Sequence, residues 1–95
     1  MEVRWSPEAA ADFTAIVQYI RQDNASAALR VARAIYNAIA RLNTFPNRGR
    51  PGKIDGTREL PLTSLPFVVV YRVTENAVEI VRLLHGAQRW PATGK

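Results

Sequence analysis

The chain contains no cysteine, and only one histidine and one methionine, among its 95 residues. Without thiols it can form no disulfide, no thiolate zinc site and no Cys–His nucleophilic pair. A single histidine leaves too few imidazoles for most other zinc centres. Long apolar runs are missing too. Met1-Glu2-Val3-Arg4 lacks the apolar core of a signal peptide, and no stretch reaches the roughly 20 apolar residues that a membrane-spanning helix needs. The expectation is a soluble cytoplasmic protein with no metal and no cofactor. Three of its five glycines, Gly49, Gly52 and Gly56, fall in one loop, but that loop lacks the Gly-Lys-Ser/Thr ending of a phosphate-binding P-loop. Ser64, Asp55 and His85 sit in no local motif of a hydrolytic triad.

What is present in excess is arginine. The net charge is +5, and eleven of the thirteen cations are Arg, whose planar fork pairs bidentately with carboxylate or phosphate. Residues 1–45 carry five Arg against four acids, whereas residues 46–95 carry eight Lys or Arg against four acids. An anionic partner for the C-terminal half follows, either nucleic acid or an acidic protein segment. A basic face kept for solubility explains the same excess.

Ninety-five residues make one domain, and a chain of this size buries only roughly 60–70% of its unfolded surface. Val3-Arg4-Trp5 is long enough for an edge strand. Ser6-Pro7-Glu8 is a helix start, with Ser6 as N-cap, Pro7 in the first helical position and Glu8 against the positive end of the helix dipole. Phe13, Ile16, Val17 and Ile20 then mark one buried helical face. Asp23-Asn24 breaks that helix, and a second runs from about Ala25 or Ser26 to about Asn43. Its stripe is Val31, Ile35, Ala38, Leu42 and Phe45, with Leu29, Tyr36 and Ile39 off the stripe. The short break implies an antiparallel helical hairpin over about 6–45. Residues 47–56 form a basic Gly/Arg surface loop. The sheet follows over about 57–85: a short strand from Thr57 to Leu62, a central strand Phe67–Val73, a turn at Thr74-Glu75-Asn76 and a return strand from Ala77 to Leu84. Residues 86–95 form a C-terminal segment that frays from Ala92. The fold class is α+β, with the hairpin packed on one face of a small, mainly antiparallel sheet.

Strict alternation places Val78, Ile80, Arg82 and Leu84 on one face of the last strand and Glu79, Val81, Leu83 and His85 on the other. Arg82 is then an arginine inside an apolar row, to be matched by solvent, an acid such as Glu59, or an anion. If Arg58, Arg72 and Arg82 share a face, they make a positive surface framed by Arg48, Arg50 and Lys53. RNA cleavage through a 2′-hydroxyl needs a base, an acid and cations. Arg58 and Arg82 are the candidate cations and His85 the candidate base or acid, with Tyr71 as a weaker second proton-transfer group. A lone His is more often a hydrogen-bonded structural residue than a catalyst, and that role explains His85 as well.

The order of segments resembles a known family. The Asn47–Gly56 loop leads into Gly56-Thr57-Arg58-Glu59-Leu60. A strand ending Val70-Tyr71-Arg72-Val73 follows, and the chain closes on Leu83-Leu84-His85-Gly86-Ala87-Gln88-Arg89-Trp90-Pro91. With Trp5-Ser6-Pro7-Glu8 to Phe13, Ile16 and Tyr19-Ile20, this pattern is similar to the RelE/ParE toxins of type II toxin–antitoxin systems, and within them to the ParE branch. The resemblance implies a growth-inhibiting toxin of a plasmid-stabilisation type of system, bound by a cognate antitoxin in a hetero-oligomer. It implies contact with operator DNA only through the antitoxin, and no membrane partner. ParE-like members inhibit DNA gyrase, trapping it on cleaved DNA; RelE-like members are ribosome-dependent mRNA endonucleases. Arg58 and, more loosely, Lys53 and Arg82 match the basic nuclease positions, but Gly86 stands where nuclease members often place Arg. Trp90 stands where they place Tyr, and an indole exchanges no proton at neutral pH.

The resemblance thus implies a gyrase inhibitor, with an mRNA endonuclease and a toxin-like module that has lost its toxicity as the other readings. No catalytic residue is assigned unless the chain is a nuclease, when Arg58, Arg82 and His85 carry it. Target or anion binding is expected at Arg48, Arg50, Lys53, Arg58, Arg72, Arg82, Arg89 and Trp90. Antitoxin binding is expected at Leu29, Tyr36, Ile39, Arg58 and Arg82.

Overall fold

Ser6 starts the helical half as its sequence context predicts: its hydroxyl accepts the Ala9 N–H at 2.9 Å, with Pro7 in the first turn. The same hydroxyl donates to the Val81 carbonyl at 2.9 Å, so one side chain both caps a helix and ties it to the sheet. The computed structural model describes residues 1–86, 90 and 91. In chain order it contains β1 (Glu2–Trp5), α1 (Pro7–Asp23), α2 (Ala25–Ala40), a 3-10 turn (Arg41–Asn43), β2 (Arg50–Pro51), β3 (Arg58–Pro61), β4 (Phe67–Val73) and β5 (Ala77–His85).

Asn24 is the hinge of the helical hairpin. Its backbone N–H closes α1 on the Ile20 carbonyl, and its side chain caps α2 by accepting the Ala27 N–H at 2.9 Å. The second helix is shorter than its apolar stripe suggests. It ends at Ala40, the 3-10 turn follows, and Phe45 leaves the core to stand 61% exposed. Conversely Ile39, placed off the stripe by sequence, is buried at 1% exposure with Ile35 and Leu42, where it presents no surface to a partner.

The sheet has five strands in the order β1-β5-β4-β3-β2: the three antiparallel strands read from the sequence, the short N-terminal edge strand, and β2, which the sequence did not suggest. Only the β1–β5 pair is parallel. Both helices cover one face, over Leu60, Phe67, Val69, Tyr71, Val78, Ile80 and Leu83. Trp5 and Phe13 add an edge-to-face pair at 5.5 Å to this layer.

One irregularity decides which side chains face where. Val70 pairs with Arg82, but Tyr71 pairs with Ile80, so Val81 is an extra residue in β5. Such a bulge inverts the alternation of everything beyond it. Val78 and Ile80 face the helices, and so does Leu83. Arg82 does not share their side, correcting the strict alternation drawn from sequence. The unexpected arginine in an apolar row is thus an arginine on the outer face.

Candidate functional site

The basic loop is held from below by four side chains. Tyr71, fully buried in β4, donates its hydroxyl to the Pro46 carbonyl at 2.7 Å and accepts the Gly49 N–H at 2.8 Å. Arg58 donates to the Gly49 carbonyl at 2.6 Å and the Asn47 carbonyl at 3.3 Å. Glu59, 6% exposed, accepts the Lys53 N–H at 3.1 Å and pairs with Arg50 at 3.4 Å. Thr57 donates its hydroxyl to the Ile54 carbonyl at 2.6 Å. This anchoring brings the backbone close enough to require glycine: a Cβ on Gly49 would lie 2.8 Å from the Tyr71 ring, and one on Gly52 2.3 Å from the Thr57 hydroxyl. The stretch expected as an open loop therefore contains a strand, β2, and much of its composition answers to internal geometry.

The second organised cluster lies at the β5 edge. Because β1 stops opposite Ile80, the edge beyond it is left to α1. Asp12 fills it, accepting the Leu83 N–H at 2.9 Å and both Nε and a terminal nitrogen of Arg82, at 2.7 and 3.0 Å. The hydrogen bond to Asp12 raises the Arg82 guanidinium above its ordinary value, against a smaller lowering from burial. Asp12, not Glu59, is thus the partner of Arg82. On its other side the guanidinium lies 5.7 Å from the Trp90 ring centre, within cation–π range. Arg82 and Trp90 share an outer-face cleft of about 640 Å³ with Arg4, Arg72, Glu8 and Glu79. Across the strands Glu79 stands opposite both Arg4 and Arg72.

The residues proposed for RNA cleavage are separated. Arg58 pairs with Tyr71 and His85 with Phe67 along β4, four residues apart and so about 13 Å at a strand's rise per residue. Register puts Arg58 on the helix-facing side and Arg72 on the other, so Arg58, Arg72 and Arg82 do not share one positive face. His85 is exposed, edge-on to Phe67 at 5.8 Å. It lines an apolar groove of about 540 Å³ with Ile16, Tyr19 and Ile20 of α1, Leu65 and Leu83. Tyr19 is 74% exposed there; Leu29 and Tyr36 are also exposed, on α2. Among the loop cations, Arg48 and Lys53 have no side-chain ion pair among the described residues. Arg89 lies outside the described residues.

Sequence reading missed Asp12 of α1, giving it no role. Its partner lies 70 residues away, and only the bulge brings the two together. It also missed the Phe45 surface, whose one local signal is that residues 24–54 contain no Asp or Glu.

Residues 3–90 match the family described as ParE toxin of type II toxin-antitoxin system, parDE. The chain belongs to the ParE toxin family. Two bacterial relatives of nearly the same length support the assignment. The protein Y4kP of Sinorhizobium fredii is 39% identical over 94% of this chain and 92% of its own. Toxin RelE2 of Caulobacter vibrioides is 39% identical over 92% of this chain and 97% of its own. A solved chain of the chromosomal ParDE system from P. aeruginosa superposes with a TM-score of 0.83 at 30% identity, covering 90% of this chain and 95% of that one. YoeB from Staphylococcus aureus shares the fold, with a TM-score of 0.58 at 15% identity over 86% and 92% of the two chains. This ParE-family chain therefore has the RelE/ParE architecture of two N-terminal helices on a mixed, mostly antiparallel five-stranded sheet. None of its described helices is long and apolar enough to cross a membrane.

Proposed function

We propose that this ParE-family toxin inhibits DNA gyrase and is neutralised by a cognate antitoxin. Within the RelE/ParE architecture, the observation that carries the choice of target is the separation of Arg58, Arg82 and His85. A ribonuclease centre needs its proton-transfer group and its phosphate-binding cations around one scissile bond. Here the backbone positions of Arg58 and His85 are offset by about 13 Å along the sheet, and Arg82 is held by Asp12 at 2.7 Å. A toxin that binds its target, rather than cutting it, needs no such convergence.

The antitoxin reading is supported by uncovered apolar surface on a cationic protein. The groove between α1 and the β4–β5 end, with Tyr19 at its side and Leu29 and Tyr36 exposed on the hairpin, offers anchors for an amphipathic segment. The net charge of +5 draws an acidic one. Binding there leaves the pinned basic loop in place.

The test combines the purified toxin with gyrase, ATP and supercoiled plasmid, and runs translating ribosomes with mRNA in parallel. Linear DNA released on denaturing the gyrase, present only when gyrase is present, is the expected result. Cleaved mRNA with untouched plasmid would replace the proposal with the endonuclease reading. If neither substrate changes, the chain is an inert partner of its antitoxin.

A further inference from the structure

The chain from Asn24 to Ile54 carries Arg30, Arg33, Arg41, Arg48, Arg50 and Lys53 and no acid at all. Arg50 pairs with Glu59; the other five have no ion-pair partner among the described residues. Two of them are brought together by the way α2 ends. The Phe45 N–H donates to the Arg41 carbonyl at 3.0 Å, and the Arg48 N–H donates to the Phe45 carbonyl at 3.2 Å. Arg41, Phe45 and Arg48 are thereby wound onto successive turns of one backbone. They line an open concavity of about 660 Å³ with Thr44, Pro46 and Asn47. Arg41 and Arg48 also border a second hollow against α2 and the 60–65 segment. The backbone beneath is fixed by the bonds from Tyr71 to Pro46 and from Arg58 to Asn47 and Gly49.

An exposed Phe is ordinary. A Phe 61% exposed on an anchored turn, lining one concavity with two guanidiniums that have no ion-pair partner among the described residues, is a specific combination. It offers a flat aromatic face for a base and cations for the phosphates on either side, which is how single strands are gripped without sequence readout. Duplex DNA could use the arginines but hides its base faces from Phe45. An acidic peptide could also use them, but an aliphatic anchor is better served by an enclosed pocket than by an open ring.

We infer that Arg41, Phe45 and Arg48 form a contact for single-stranded DNA. Its choice over RNA rests on the gyrase reading above; the recognition chemistry does not. The test is fluorescence anisotropy of a labelled short oligothymidylate with the purified full chain, over a range of salt. Blunt duplex, oligouridylate and oligoglutamate serve as competitors. Among the described residues none of the three side chains makes a hydrogen bond or ion pair, so the Ala variants are expected to fold, which thermal melting checks.

The expected outcome is tighter binding of single strand than duplex, weakened about tenfold by Phe45→Ala. Arg41→Ala and Arg48→Ala each flatten the log–log salt slope by roughly 0.7. Equal affinity for duplex, or indifference to Phe45→Ala, would overturn the site. Phe45-dependent binding that oligoglutamate displaces at lower concentration than unlabelled oligothymidylate would assign it to a protein partner instead, and preference for oligouridylate would move it to RNA. The two readings fail separately. Intact oligonucleotide binding without linear plasmid sinks only the gyrase target, and gyrase trapping by a toxin that does not bind the oligonucleotide sinks only this surface.

Discussion

The arginines of the sheet and those of the helix–loop turn are chemically identical and differently engaged. Arg58 holds two loop carbonyls, Arg82 is gripped at two nitrogens by Asp12, and Arg50 leans on a buried Glu59. Arg41 and Arg48 have no such partner among the described residues and line one concavity with an exposed ring. A guanidinium in the first group is already partnered within the fold, so recruiting it to bind a phosphate means first breaking what it already makes. In the second group nothing has to be broken. Counting basic residues along the sequence ranks the two groups alike, whereas their internal partners separate them into structure and surface.

The sharpest way to break that contrast is to remove Asp12. Asp12→Ala deletes three hydrogen bonds and leaves Arg82 and the Leu83 N–H unmatched at a partly buried edge. The expected loss is about 2–3 kcal/mol, read from the urea midpoint. Because the Arg82 guanidinium is raised rather than lowered, its share of that stability is present below its unfolded pKa. It is lost only as pH rises through the still higher folded value, so midpoints at neutral and mildly alkaline pH should agree. Arg58→Ala comes next, at about 1–2 kcal/mol for two carbonyls returned to water or left bare, with faster amide exchange at Gly49. Smallest are Arg41→Ala and Arg48→Ala, each within about 0.5 kcal/mol, as for surface positions that touch no special feature. Should Arg48→Ala destabilise as much as Arg58→Ala, the division between the two groups is wrong.

Local rules made much of the fold readable. Ser6, Pro7 and Asn24 punctuate the helices where short-range chemistry requires, and the β-branched run Phe67–Val73 forms a strand buried within the sheet. Where reading failed, the cause was long-range. The parallel β1–β5 pairing joins chain segments more than 70 residues apart, and no local pattern announces it. Phe45 continues a helical stripe in sequence, but the 3-10 turn at Arg41–Asn43 tightens the backbone and swings it outward. Leu29, Tyr36 and Ile39 mark a second semi-apolar face of α2 in the sequence, open to a partner or to the domain's own sheet, and at Ile39 helix and sheet together enclose it. The arginine cluster on the sheet fails for two reasons: the β3–β4 register sets Arg58 opposite Tyr71 and so across the sheet from Arg72, and the bulge in β5 turns Arg82 away from the side of Val78 and Ile80.

The irregular residue in β5 also bears on how the hairpin finds its pairing. A slip of one residue in either segment of β5 turns its inward side chains outward. With Val81 inserted, the strand behaves as two segments in opposite phase, and a pairing that leaves Val81 out of the ladder directs Val78, Ile80 and Leu83 to the core together. The bulge therefore ties the two halves of β5 to one relative register.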